Sequence, residues 1–116
     1  FGIIGLETAV SLSLDRLVHR DIVPLSRLVE LLSSNPARIL RVPGGRLAAG
    51  DAADITILSP DTTVEVAASQ FRSKARNTPF DGWRLRGAVA ATMVDGRVVY
   101  TNGAVAGVEK LPWPSA

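Results

Sequence analysis

Apolar residues near the start of the chain recur with helical spacing. They stand three or four positions apart at Leu6, Val10, Leu14, Leu17 and Val18. One apolar stripe of this kind predicts an amphipathic helix over residues 6–18. Glu7 would then lie in the first turn and His19 just past the last turn, where a carboxylate and a cation suit the helix dipole.

A second helical pattern begins at Pro24, because proline is favoured at the first position of a helix. Its predicted inner face consists of Leu25, Leu28, Val29 and Leu32. Proline disfavours helical geometry in the residue before it, so the stretch 33–36 predicts a break. Pro36 itself favours a new short helix over residues 37–41, with Ser34 or Asn35 as its N-terminal cap.

The pattern changes after Arg46 to that of strands. Two β-rich runs, residues 55–58 and 62–66, predict two short strands that Ser59-Pro60-Asp61 separates. Residues 67–76 fit either a short helix or a loop, and the stretch that follows them, to Trp83, is rich in turn-forming residues.

A β-hairpin is predicted near the end of the chain, where residues 88–94 and 97–101 flank Asp95-Gly96. A two-residue Asp-Gly link is a strong hairpin signal, because both positions tolerate positive φ. Helices followed by about four strands indicate either an α+β fold or a boundary between two structural units near residues 43–46.

The composition is that of one small globular domain. Of the 116 residues, 47% are hydrophobic and 21% are charged, which suffices for a core. No apolar run approaches the roughly 18–20 residues of a membrane-spanning helix. A net charge of +2 argues against a nucleic-acid-binding protein. The absence of cysteine excludes disulfides and thiolate sites and is compatible with a cytoplasmic protein.

Few residues have the pattern of a catalytic site. A catalytic zinc site typically needs about three protein ligands. The chain has one histidine, His19, which we interpret as a solvated or capping residue. Asp51 and Asp54 form the best carboxylate pair, and two such groups are able to act as acid and base. A structural role is favoured, because Asp51 lies in a turn and Asp54 precedes a strand, where it can accept backbone N–H groups.

Other binding and catalytic motifs are weak. Clustered basic side chains are able to bind an anion or a nucleic-acid backbone. The candidates here are Arg72, Lys74, Arg76, Arg84 and Arg86. Alternating basic residues with few aromatic neighbours are more typical of a solvated face. The chain has neither a Gly-x-Ser-x-Gly elbow nor a phosphate-binding loop. The residues alone therefore do not predict a self-sufficient enzyme.

Three stretches of the sequence resemble one family. FGIIGLET, residues 1–8, resembles the loop and helix after the last barrel strand of long-type (class I) bacterial dihydroorotases. SSNPARIL and GRLAAGDAADITIL resemble the exit from the barrel in the amidohydrolase superfamily, a pattern that hydantoinases and allantoinases share. FRSKARNTPFDGWRLRGAVAATMVDGRVVY, residues 71–100, is similar to the dihydroorotase ending and is the most specific of the three.

The resemblance extends to about Gly103 and implies the C-terminal segment of such an enzyme. Residues 1–43 would be the last helices and the active-site loop of a (β/α)8 TIM barrel. Residues 44–103 would be the C-terminal part of a small composite β-sandwich domain, and residues 104–116 a tail. In the family, zinc ligands precede the position of Phe1. The resemblance therefore implies zinc in a cytoplasmic parent enzyme, with no metal ligand and no catalytic residue in this segment.

The resemblance assigns substrate contact to Phe1 and Gly2. In the family, a Pro-Phe-Gly loop touches the dihydroorotate ring or its carboxylate, largely through main-chain atoms. Glycine permits such a close approach, and the loop lies at the face of the barrel where active sites are found. A tight turn at Gly2 is the structural alternative. The remaining motif residues are expected to hold helix starts, strands and turns: Gly5, Glu7, Asp54, Arg76, Asn77 and Thr78.

The implied reaction is the reversible cyclisation of N-carbamoyl-L-aspartate to (S)-dihydroorotate in de novo pyrimidine biosynthesis. The segment alone would be inactive, and its open strand edges and uncovered helix faces favour association. Its partners would be the N-terminal part of the same enzyme and a small-molecule substrate. A homodimer or aspartate transcarbamoylase are further partners that the resemblance allows, whereas nucleic acid and membrane are not expected.

Three alternatives stay open. The first is a non-catalytic dihydroorotase-like subunit that partners aspartate transcarbamoylase, and the residues that discriminate it lie upstream. The second is a related cyclic-amide hydrolase such as an allantoinase or a hydantoinase, against which the stretch SKARNTPF argues. The third is a free-standing small binding domain.

Overall fold

The computed structural model describes residues 2–110, which form three helices and one three-stranded sheet. The helices are α1 (Ala9–Ser13), α2 (Leu25–Val29) and α3 (Asn35–Leu40). α1 and α2 continue into the π-helical turns Leu14–Val18 and Glu30–Ser34. The strands are β1 (Ile55–Glu65), β2 (Arg84–Val94) and β3 (Arg97–Thr101), antiparallel in the order β1-β2-β3. Single 3₁₀ turns occupy Ala68–Gln70 and Val108–Lys110. The predicted α+β order of helices and then strands is confirmed.

The first helix begins later than its apolar pattern predicts. The chain turns over residues 6–8, and the carbonyl of Gly5 accepts the N–H of Ala9 at 2.9 Å. Leu6 therefore lies outside the helix and is 98% exposed, whereas Leu14 is completely buried. The prediction from apolar spacing is confirmed for the centre of the helix and is wrong for its first residue.

The two prolines act differently from the prediction. Pro24, with ψ of 157°, is extended and precedes α2 instead of opening it. The break predicted at 33–36 is wrong, because the helical backbone continues through a π-helical turn into α3. A π-helical turn is wider than an α-helical one, so it accommodates the ring and the missing N–H of Pro36. The Ser34 hydroxyl makes no cap and donates to the carbonyl of Gly45 at 2.8 Å.

The two strands predicted around Pro60 are one strand. β1 runs through Ser59-Pro60-Asp61, and its pairing with β2 shifts between Ser59 and Thr63. Proline is tolerated in a sheet at such a bulge, because the bulged residues make no ladder hydrogen bond. The sheet therefore has three strands instead of the predicted four.

The predicted hairpin is confirmed. Val94 pairs with Arg97 across a two-residue turn. Asp95 and Gly96 have φ values of 50° and 75°, the two positive angles that a type I′ turn requires. Local turn chemistry therefore sets the register of the two pairs next to the turn, and the register then shifts between Thr92 and Met93.

The helices pack on the sheet at one close contact. Leu14 lies against Gly87 of β2, where a Cβ atom on the glycine would be 2.4 Å from the Leu14 Cβ. Gly87 has a φ of +120°, which favours glycine independently of the contact. The buried core beside this contact is made of small and branched residues, including Leu85, Ala88 and Ala91.

Large apolar surfaces remain uncovered within residues 2–110. Of the predicted inner face of α2, Leu28 is buried, but Leu32 is 49% exposed. Ile39, Leu40 and Leu47 are each at least 70% exposed. In the described sheet, β1 and β3 each pair with β2 and form the two outer edges. None of the helices in this part of the chain has the length and hydropathy that a bilayer crossing requires.

Replacement of Gly87 is expected to be costly. Gly87→Ala should lower the free energy of unfolding by about 3 kcal/mol, since it adds backbone strain to overpacking against Leu14. Gly82→Ala is the matched control: Gly82 also has positive φ, at 76°, but no atom lies within 4 Å of the point where its Cβ would stand. It should cost about 1 kcal/mol, from backbone strain alone. Urea unfolding of the parent enzyme that the resemblance implies measures both values, and equal losses would contradict the close contact.

Candidate functional site

The loop that contains Gly2 is held by the side chain and the main chain of one residue. The Asn77 amide Nδ2 donates to the Gly2 carbonyl at 2.8 Å. The Asn77 carbonyl accepts the N–H of Ile4 at 3.2 Å. Gly2 has a φ of +80° and open space around its Cβ position, so the main chain is accessible there. Phe1, the other predicted substrate contact, lies outside the described residues.

Glu7 fastens the next part of the chain to the same segment. Its two carboxylate oxygens accept the backbone N–H groups of Arg72 and Ser73, each at 3.1 Å. The expected role of Glu7 in the first helical turn is wrong, because α1 begins at Ala9. The carboxylate instead joins two stretches 65 and 66 residues apart.

The segment 71–81 has internal hydrogen bonds that hold its shape. The Arg76 guanidinium donates to the carbonyls of Ser73 and Ala75. The Thr78 hydroxyl accepts the N–H of Phe80 at 3.3 Å. Arg76 and Thr78 therefore brace this segment locally, next to the loop of Gly2. Their role in a turn between the β-domain and the barrel stays a prediction.

A groove of about 1130 Å³ lies beside this loop. Its walls come from the loop and α1, from the end of β1, and from β2 and β3. Ile4, Val10, Val64 and Tyr100 are among its apolar lining residues. The described residues 2–110 contain no cluster of three or more histidine, cysteine, aspartate or glutamate side chains able to hold a metal ion. The groove is therefore an open surface between the helical segment and the sheet, and the described residues around it form no metal centre.

Asp51 and Asp54 have separate partners. The Arg46 guanidinium donates to both oxygens of Asp51, at 2.8 and 3.1 Å. Asp54 accepts the N–H of Asp95 at 2.8 Å, and the nearby Ala53 carbonyl accepts that of Gly96. The structural interpretation of both carboxylates is confirmed: Asp51 closes a loop and Asp54 holds the hairpin turn.

The capping interpretation of His19 is confirmed for its main chain: His19 is the C-cap residue of the π-helical turn Leu14–Val18, and its N–H donates to the Leu14 carbonyl. Its side chain is half-buried and makes a further contact. Its Nε2 lies 2.6 Å from the Pro60 carbonyl oxygen. A carbonyl oxygen only accepts, so Nε2 carries a proton and donates. The residue links the end of the first helical segment to the bulge of β1.

The basic residues considered as an anion site do not act as one group. Arg86 forms an ion pair with Asp61 at 2.6 Å, and Arg76 is engaged with neighbouring carbonyls. The solvated-face interpretation is therefore favoured over a phosphate or nucleic-acid site.

Two contacts have no direct signal in the sequence. The bond from Asn77 to Gly2 joins residues 75 positions apart, and that from Arg86 N–H to Asp15 joins residues 71 apart. FGIIGLET and SKARNTPF both resemble the same family. That resemblance identifies the two motifs, but it does not predict that they are in contact.

Comparisons with known proteins give one consistent result. A model of the amidohydrolase family matches residues 3–99. Dihydroorotases from Syntrophus aciditrophicus and Brevibacillus brevis are 52% identical over 99 residues and 45% identical over 102 residues. These matches cover 85% and 88% of this chain.

A solved structure is also similar to this chain. The L-hydantoinase (dihydropyrimidinase) from Arthrobacter aurescens matches with a TM-score of 0.81 and 41% sequence identity. The match covers 88% of this chain and 23% of that structure's chain. The chain likewise spans 23% and 24% of the length of the two dihydroorotases.

The ion pair of Arg46 and Asp51 predicts a small pH effect on stability. The hydrogen bond from Arg46 lowers the pKa of Asp51. Its contribution is therefore present above about pH 4, the unfolded value for aspartate, and is lost as pH falls through the lowered pKa. Asp51→Asn should reduce the melting temperature slightly at pH 7, since exposed pairs contribute little.

The reduction should shrink in about 1 M salt and vanish near about pH 2. Thermal melts of the full-length enzyme and of its Asp51→Asn variant across pH measure this. A reduction of equal size at pH 2 and pH 7 would contradict the assignment to the ion pair.

Proposed function

The chain belongs to the amidohydrolase family, and we propose that it forms the C-terminal part of a dihydroorotase. The proposed parent reaction is the reversible cyclisation of N-carbamoyl-L-aspartate to (S)-dihydroorotate, in the cytoplasm. One observation carries the proposal beyond sequence similarity. Parts of two stretches that resemble dihydroorotases, residues 2–8 and 71–80, lie against each other through Asn77 and Glu7.

The proposed architecture follows from the size of the chain relative to its relatives. Residues 1–43 would complete a TIM barrel, and residues 44–103 would complete a composite β-sandwich. The exposed faces of α2 and α3 and the open edges of the sheet support this division. The N-terminal part of the same enzyme would cover these surfaces.

The described residues do not fit a zinc site. They contain no cluster of potential ligands, and His19 and Asp54 are each bonded to the backbone. A zinc ion of the parent enzyme would therefore be bound by residues outside this chain. The chain's own proposed contribution is to bind and orient the substrate.

The proposed contact is made by the main chain at Phe1-Gly2. At Gly2 the positive φ and the open space leave the backbone free to approach a flat ring. A main-chain contact of this kind orients the ring and its carboxylate against the catalytic groups of the barrel. It would act equally on substrate and product, because both have the same carboxylate.

A second candidate function is hydantoinase activity. The solved structure described above is called an L-hydantoinase, and both reactions open or close a cyclic amide. The alternative of a non-catalytic partner of aspartate transcarbamoylase keeps the same fold without the metal. Dihydroorotase is preferred because of the stretch SKARNTPF at residues 73–80.

A substrate comparison on the full-length enzyme tests the proposal. The enzyme should bind zinc and open dihydroorotate with a kcat/KM about 100-fold or more above that for hydantoin or allantoin. Absorbance at the amide band and metal analysis provide the measurements. A preference for hydantoin would favour the second candidate. A metal-free, inactive protein that binds aspartate transcarbamoylase would favour the non-catalytic subunit.

The isolated 116-residue segment is expected to associate or to unfold. Leu6, Ile39, Leu40 and Leu47 expose large apolar surfaces that water disfavours. Size-exclusion chromatography with light scattering should give species larger than 12.3 kDa. Co-expression with the N-terminal part of the enzyme should restore a soluble complex. A monomeric segment with a cooperative thermal melt would contradict the prediction.

A further inference from the structure

The loop of residues 2–5 is not held by packing. Both Gly2 and Gly5 have open space where a Cβ would lie, and Ile3 is 57% exposed. Glycine has more backbone freedom to lose than any other residue, so a loop flanked by two glycines has no preferred orientation of its own. Its orientation must come from the hydrogen bonds that fix it.

Those hydrogen bonds converge on Asn77. The side chain bonds the carbonyl of Gly2 and the main chain bonds the N–H of Ile4, one on each side of Ile3. Two bonds to alternate residues fix both the position of the loop and the plane of the Gly2 peptide. Three residues after Ile4, the Glu7 carboxylate accepts the backbone N–H groups of Arg72 and Ser73, which belong to the segment 71–81. These bonds oppose a shift of the loop along that segment.

We infer that Asn77 is a positioning residue for substrate binding, with Glu7 in a supporting role. This inference rests on the proposed function, since it assigns to Asn77 the orientation of the loop at Phe1-Gly2. In the proposed function the substrate carboxylate or ring meets the main chain of that loop, and Asn77 fixes the loop through its bonds to Gly2 and Ile4. Asn77 itself touches no reacting atom.

The test uses two isosteric replacements in the full-length enzyme. Asn77→Asp removes the donor and places a carboxylate oxygen against the Gly2 carbonyl. Asn102→Asp is the matched control, because Asn102 donates through Nδ2 to the Val89 carbonyl at 3.2 Å, at the end of β3. Both variants exchange a donating amide for a carboxylate, but only the first affects the loop.

Asn77→Asp should raise KM for dihydroorotate about tenfold and change kcat less than about threefold. A contact made in both the ground state and the transition state affects KM more than kcat. Glu7→Gln, which retains one acceptor oxygen, should raise KM about threefold by the same argument. Asn102→Asp should leave both constants within about twofold of the wild type. An unchanged KM in Asn77→Asp, or an equal rise in the control, would overturn the inference.

Hydrogen–deuterium exchange separates this inference from the proposed function. The amide of Ile4 should exchange faster in Asn77→Asp than in the wild type or in Asn102→Asp. If the wild-type enzyme fails to turn over dihydroorotate, the proposed function falls, and faster exchange at Ile4 alone still supports loop positioning by Asn77. Unchanged exchange at Ile4 would overturn that role whatever the substrate.

Discussion

The contact between Leu14 and Gly87 is the constraint on which the arrangement of this chain depends. It brings the first helical segment closer to β2 than any side chain on residue 87 would allow. Polar contacts on either side then become possible. Asp15 accepts the N–H of Arg86 at 2.8 Å, and His19 reaches the carbonyl of Pro60. An apolar contact that excludes a side chain thus determines where the helix lies along the sheet.

The loop of Gly2 depends on the same contact. Both α1 and the π-helical turn that follows it pack on β2. The chain just before α1 therefore lies near the segment that leads from β1 to β2, to which Glu7 bonds. Glu7 and Asn77 then have only short distances to span. The bonds of Glu7 and Asn77 thus add to the helix–sheet contact and extend the packed arrangement to the loop of Gly2.

The sequence predicted best those features that local chemistry decides. The Asp95-Gly96 turn followed from backbone preference alone, and the centre of the first helix from its apolar spacing. The predicted interruptions at Pro36 and Pro60 failed for one reason: a π-helical turn and a β-bulge accommodate the two rings while the element continues. Neither device has a signal in residue type, because each depends on the packing of the surrounding structure.

The site was predicted only in part, because its two halves are distant in sequence. Family resemblance pointed to Gly2 and to the stretch around Asn77 separately. Their contact arises from the topology. Asn77 lies in the connection from β1 to β2, and this connection runs beside the chain that precedes α1. Apolar spacing also overestimated the core: it predicts that Val29 faces inward, yet this side chain is 44% exposed within the described residues. The apolar spacing of this helix would then match a second surface, which the rest of the enzyme is proposed to supply.

The acidic side chains explain why the chain is better suited to binding than to reaction. Glu7, Asp15, Asp54 and Asp81 all accept backbone N–H groups, and each joins two elements. A carboxylate that accepts from a fixed backbone donor is less free to reach and move a substrate proton. These four side chains therefore act as structural connections, and Glu7, which uses both of its oxygens, fixes the chain next to the loop of Gly2.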